Sequence, residues 1–153
     1  MGEGLRNRIR QQRFATPQQE ALLNVMVAAN YVREQSERVT REHGITLPQY
    51  NVLRILRGVH PSGHPRCDIA ARMLDRAPDV TRIIDRLAEK GFVERDRGAE
   101  DRRHSITRIT RDGLALLEQI DPDIRAAFEP MESLISQREA RELSRLCEVI
   151  YEE

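Results

Sequence analysis

The sequence predicts a mainly α-helical fold carrying one small β-hairpin, and three observations lead there. Apolar residues recur every three or four positions through most of the 153 residues, the spacing that keeps them on one side of a helix. Helix-start signals stand ahead of several of these runs, either a Thr or Ser followed three residues later by Gln or Glu, or a Pro in the first turn. Only between Phe92 and Ile109 does the pattern change to short segments holding β-branched or aromatic residues, as strands do.

Residues 1–16 carry Arg6, Arg8, Arg10 and Arg13 with few apolar anchors and read as a flexible basic N-terminal arm. From Pro17 to His43 the stripe Leu22, Val25, Met26, Ala29, Val32 and Val39 predicts a long first helix, stopped by Gly44. Thr46 with Gln49 forms a capping box, and Pro48 fits the first turn of a second helix that buries Tyr50, Leu53, Ile55, Leu56 and Val59. Pro61, Gly63 and Pro65 then force a loop before a short third helix, Cys67 to Leu74, with Ile69, Ala70 and Met73 on one face. Pro78 is expected to open a fourth helix, held by Val80, Ile83, Ile84 and Leu87 and ended by Gly91 as a left-handed cap. Phe92–Asp96 and Ser105–Ile109 make a hairpin around a charged tip at 97–104. Thr110 caps a fifth helix along Leu114, Leu117, Ile120, Ile124, Phe128 and Met131, which Pro122 should kink or interrupt. Ser136 with Glu139 starts a last helix along Leu143, Leu146, Cys147 and Ile150.

Composition narrows the function classes. With 39% hydrophobic and 33% charged residues the chain has the makings of one packed domain, and two of ordinary size would not fit. There is no apolar run long enough for a membrane span and no signal-peptide pattern, so no membrane role and a cytoplasmic location are expected. Cys67 and Cys147 lack a CxxC spacing and read as reduced thiols. No nucleophile elbow or phosphate loop is present, and His43, His60, His64 and His104 are scattered, so no enzyme, cofactor or metal is expected. A metal- or redox-responsive protein using His60, His64 and Cys67 is an alternative whose ligand set is incomplete. Six dispersed aromatics make no stacking platform for single strands. Net charge is zero, but residues 66–111 hold twelve basic against nine acidic residues, which makes the middle the basic part.

Two short helices joined by a tight turn near residues 75–77, followed by a hairpin, form the winged helix-turn-helix order, whose second helix enters the major groove of duplex DNA. The apolar stripe of that helix turns Pro78, Asp79, Thr81, Arg82, Asp85 and Arg86 outward. Arg82 suits a guanine edge, Thr81 a thymine methyl or a phosphate, and Asp79 the amino group of cytosine. On the hairpin tip, Arg97, Arg102 and Arg103 suit the narrow minor groove, with Asp101 orienting one of them. A dimeric interaction scaffold without DNA binding is the rival reading, and it would not require this charged wing.

The stretches LAEKGFVERDR (87–97), EDRR (100–103), SITRIT (105–110) and RDG (111–113) resemble the multiple antibiotic resistance regulator (MarR) family. LPQYNVLRIL (47–56) and PDVTRIIDRL (78–87) resemble it too. The resemblance implies a single domain over 17–153, with a winged lobe at 47–111 and dimerisation helices at 17–43 and 111–153. It further implies a homodimeric, ligand-responsive repressor on a palindromic operator, with small aromatic effectors held between the dimerisation helices and the DNA-binding lobe. Tyr31, His43 and Tyr50 are candidate lining residues by position, against core packing for the two tyrosines. One departure stands out: Ala77 holds the position before the recognition helix, where Ser or Thr is commoner, so the cap hydrogen bond is expected to come from elsewhere or be missing.

Overall fold

The computed structural model describes residues 3–11, 13–75, 79–96 and 105–152. By its internal contacts the chain divides into residues 1–38 and residues 39–153.

The first unit begins with α1 (Gly4–Ile9), a short helix with Leu5 buried. The expected flexible arm therefore holds helical structure, and the apolar anchor responsible is a single leucine that the arginine-rich composition obscures. Helix α2 (Pro17–Glu42) follows. Its start is fixed by a reciprocal pair: Gln19 donates its amide to Thr16 Oγ1, while Gln19 Oε1 accepts from the Ala15 amide. Leu22, Met26, Tyr31 and Val32 are exposed along this helix.

The second unit contains the main core. Helix α3 (Leu47–Arg57) starts at the expected Thr46–Gln49 capping box, with both hydrogen bonds present, and places Val52, Leu53 and Leu56 in full burial. Helix α4 (Arg66–Arg72) contributes Ile69, and helix α5 (Val80–Glu89) contributes Ile84 and Leu87. Helix α6 (Arg111–Glu132) closes the core with Leu117 and Ile120, and helix α7 (Gln137–Tyr151) starts at the Ser136–Glu139 capping box. Gly44 and Gly91 adopt φ of 75° and 77° after α2 and α5, a conformation glycine enters without steric cost.

Two expectations need correction here. Of the two effects expected of Pro122, a kink or an interruption, the interruption does not occur: α6 runs on through Pro122 and Pro130. Proline removes the hydrogen bond to the carbonyl four residues earlier, but Glu118 is exposed, so water can satisfy that carbonyl, and the packed residues lie on another face. The sheet also has three strands rather than two. Strand β1 (His64–Pro65) joins β2 (Val93–Arg95) and β3 (Ile106–Ile109) in the antiparallel order β1-β3-β2. The partners are His64 with Thr107 and Arg95 with Thr107, on opposite sides of the central strand. A two-residue edge strand containing proline leaves no periodic signal in the sequence.

Candidate nucleic-acid interface

Helix α5 begins two residues later than expected, at Val80, and its cap is Asp79, whose Oδ1 accepts from the Arg82 amide at 3.2 Å. The cap hydrogen bond that Ala77 is unable to provide comes from this carboxylate, which is thereby engaged by the helix's own backbone. Pro78 lies outside the described residues, as do the wing positions Arg97, Asp101, Arg102 and Arg103. Thr81, Arg82, Asp85 and Arg86 are all exposed, as the apolar stripe on the other side requires. At the far end of the helix Lys90 Nζ reaches the Gly44 carbonyl at 2.5 Å, and just after α4 the Leu74 amide donates to Asn51 Oδ1 on α3 at 3.0 Å.

The two flanks of α5 carry different hollows. On one side Thr81 and Asp85, one turn apart, join Arg66 from α4, Arg95 from β2 and Ser105 around a hollow of about 280 Å³ whose floor includes buried Ile84 and Thr107. Across it, Arg95 binds Asp85 at 2.7 Å. On the other side Arg82, Ile83 and Arg86 face Thr46, Pro48 and Gln49 at the start of α3, around about 340 Å³. Arg86 reaches Glu89 only at 3.8 Å and both side chains are exposed, a pair of little energetic weight. Arg66 and Arg95 were not singled out from the sequence. Arg95 left one signal: with a period of two it shares a strand face with buried Val93, and a charge on an inward face needs a partner.

His43 and Tyr50 meet on α6. His43 Nε2 lies 2.7 Å from Asp123 Oδ2, and the Tyr50 hydroxyl donates to Asp121 Oδ1 at 3.3 Å. Asp121 also accepts from Arg57 at 2.5 Å. Burial and the neighbouring Asp121 charge push the Tyr50 phenol above its ordinary range. Tyr31 belongs to the first unit and is half-exposed. In the β1 region His64 Nδ1 faces Asp68 at 3.7 Å, and Cys67 is exposed beside the same carboxylate. Among the described residues, no three His, Cys, Asp or Glu side chains are grouped to hold a metal ion. No helix among them is long and apolar enough to cross a membrane.

The model of the MarR family matches residues 45–105, a span that begins at α3 and reaches the sheet. A MarR transcription factor of Planctomyces limnophilus is 36% identical in sequence, with a TM-score of 0.68 over 90% of this chain and 99% of that one. The chain belongs to the MarR family. It is a transcriptional regulator of that family. Among other MarR-type proteins, the homoprotocatechuate degradative operon repressor of Escherichia coli is 29% identical over 129 residues, covering 84% of this chain and 83% of the relative. The fold also matches that of MepR from S. aureus, solved as a DNA complex, at a TM-score of 0.71 and 21% identity over 85% of this chain and 95% of that one.

Proposed function

We propose that this MarR-type regulator is a homodimeric repressor that reads a palindromic duplex operator by placing α5 in the major groove and is released by a small aromatic effector. The observation that carries the reading is the exposed face of α5, where Thr81, Arg82, Asp85 and Arg86 stand clear of the core while Ile84 and Leu87 anchor the opposite side. Arg82 lacks an ion pair among the described residues and is the side chain best suited to a guanine edge. In this reading Arg97, Arg102 and Arg103 of the wing add minor-groove and phosphate contacts, with Asp101 as their orienting partner, and the regulator acts where its DNA is, in the cytoplasm.

Dimerisation is supported by the exposed apolar residues on α7, Leu143, Leu146, Val149 and Ile150, and separately by Leu22 and Met26 on α2, because surface of this kind marks an interaction site. Effector release is supported by fold neighbours solved with aromatic ligands, CouR with p-coumaroyl-CoA and NadR with 4-hydroxyphenylacetate, with His43 and Tyr50 as candidate lining. The deciding experiment is selection of bound sequences from random duplex DNA by the purified protein. Recovery of an inverted repeat is the expected result, and a protein that enriches no sequence would defeat the reading.

A further inference from the structure

The geometry points to the hollow between α4, α5 and the sheet as a binding site for one backbone phosphate, with Asp85 acting as the positioning residue for Arg95 rather than as a reader of bases. This rests on the DNA-binding reading above and adds the role of residues that the recognition face alone does not include. Four observations carry it. The hollow is lined by Arg66, Arg95 and Thr81, whose guanidinium and hydroxyl groups are donors that a phosphodiester oxygen accepts from, while the Ser105 hydroxyl beside them donates to the Asp96 carbonyl at 3.3 Å. Two arginines against the single carboxylate of Asp85 leave one positive charge, which one phosphodiester neutralises. Arg66 is exposed and makes no ion pair among the described residues, so its charge is available to a ligand. The hollow also lies along the flank of α5: a helix of about 10–12 Å with its side chains fills a major groove of about 12 Å, so its flanks meet the sugar-phosphate backbones.

Asp85 has a definite task in this arrangement. Its carboxylate holds the Arg95 guanidinium at 2.7 Å, which pre-orders a long side chain before DNA arrives and thereby lowers the entropy cost of the contact. It also repels a misplaced phosphate on the α5 face, which restrains binding to unrelated DNA. A base-reading Asp85 would have to leave Arg95 to reach cytosine.

The test uses the full chain and two duplexes of about 30 base pairs, one selected by the protein from a random pool and one scrambled. Affinity is measured against salt for the wild type, Arg66→Ala and Asp85→Asn. Arg66→Ala is expected to weaken binding to both duplexes by the same factor and to lower the slope of log affinity against log salt by about two, one for each subunit of the dimer. Asp85→Asn is expected to keep the base preference at every position while binding the scrambled duplex more tightly. A scan of neutral methylphosphonate substitutions along the selected duplex should find one position per half-site that weakens the wild type and leaves Arg66→Ala unaffected. Wild-type affinity and slope in Arg66→Ala, or loss of preference at one base pair in Asp85→Asn, would overturn the assignment. Failure of the wild type to bind either duplex would remove the DNA-binding reading itself, and the hollow with it.

Discussion

Asp121 shows how much one side chain can organise. Standing on α6, it accepts hydrogen bonds from Tyr50 and Arg57, two residues of α3 that lie seven positions and so two turns apart. Removing the Tyr50 hydroxyl by Tyr50→Phe should cost about 1 kcal/mol, the usual net worth of one hydrogen bond. The same phenol gives a pH signature. Its pKa is raised in the folded protein by burial and by Asp121, so its stabilising contribution is intact below the ordinary value of about 10 and is lost as pH rises through that value and beyond. Melting curves of wild type and Tyr50→Phe from about pH 8 to about pH 11 should therefore converge at the alkaline end. A constant gap would assign the phenol no role there. Arg82 belongs to the same scale: Arg82→Ala should weaken specific binding by about 1 to 3 kcal/mol and relax preference at one position in each half-site, as read by competition with single-base operator variants. Uniform weakening across all variants would make Arg82 a phosphate contact.

At the scale of elements, the starts of helices are written by a few side chains. Thr46 and Gln49 satisfy two amides of α3 that would otherwise lack partners, and Thr46→Ala should cost about 1 kcal/mol in denaturant unfolding. The Ser136–Glu139 box at α7 has a further consequence: its hydrogen bonds hold the Glu139 carboxyl below its ordinary value, so acid weakens this cap as pH falls through that lowered range. The junction of hairpin and α6 is tighter. Thr110 Oγ1 donates to the Gly91 carbonyl at 2.7 Å while accepting from the Gly113 amide. A Cβ at Gly113 would collide with the Phe92 carbonyl and the Ile109 side chain, which gives the glycine of the RDG stretch a physical reason. Gly113→Ala should destabilise by about 1–3 kcal/mol, the range for overpacking, and thermal unfolding checks it. An unchanged melting temperature would mean that the strand end can move aside.

For the whole molecule the decisive quantity is oligomeric state. Helix α7 has no buried residue, and Leu143, Leu146, Val149 and Ile150 along it are exposed, an arrangement that another surface has to cover. Reading successive major grooves further requires two recognition helices about 34 Å apart. Light scattering at micromolar concentration is expected to give twice the 17.7 kDa chain mass. Replacing Leu143 and Leu146 by Glu should produce monomers that lose operator affinity while α3 to α6 stay folded. A wild-type monomer that still reads an inverted repeat would defeat this expectation.

The sequence by itself determined the order of α2 to α7 and the hairpin, the caps at Thr46, Thr110 and Ser136, and the inward stripe of α5, because each depends on neighbours a few residues apart. Periodicity and capping are local, and local chemistry is legible in one dimension. Long-range partners were not. Only the tertiary structure joined Arg95 to Asp85, Tyr50 to Asp121, Lys90 to Gly44 and Asn51 to Leu74, pairs 10 to 71 residues apart whose meeting is set by how helices pack on a shared core. It likewise decided that β1 pairs with β3, that Asp79 rather than an earlier residue caps α5, and that α6 passes through Pro122. The physical reason is common to all of these: a strand of two residues, a shifted cap and a tolerated proline differ from their alternatives by about 1–3 kcal/mol, and burial elsewhere in the fold outweighs a difference of that size.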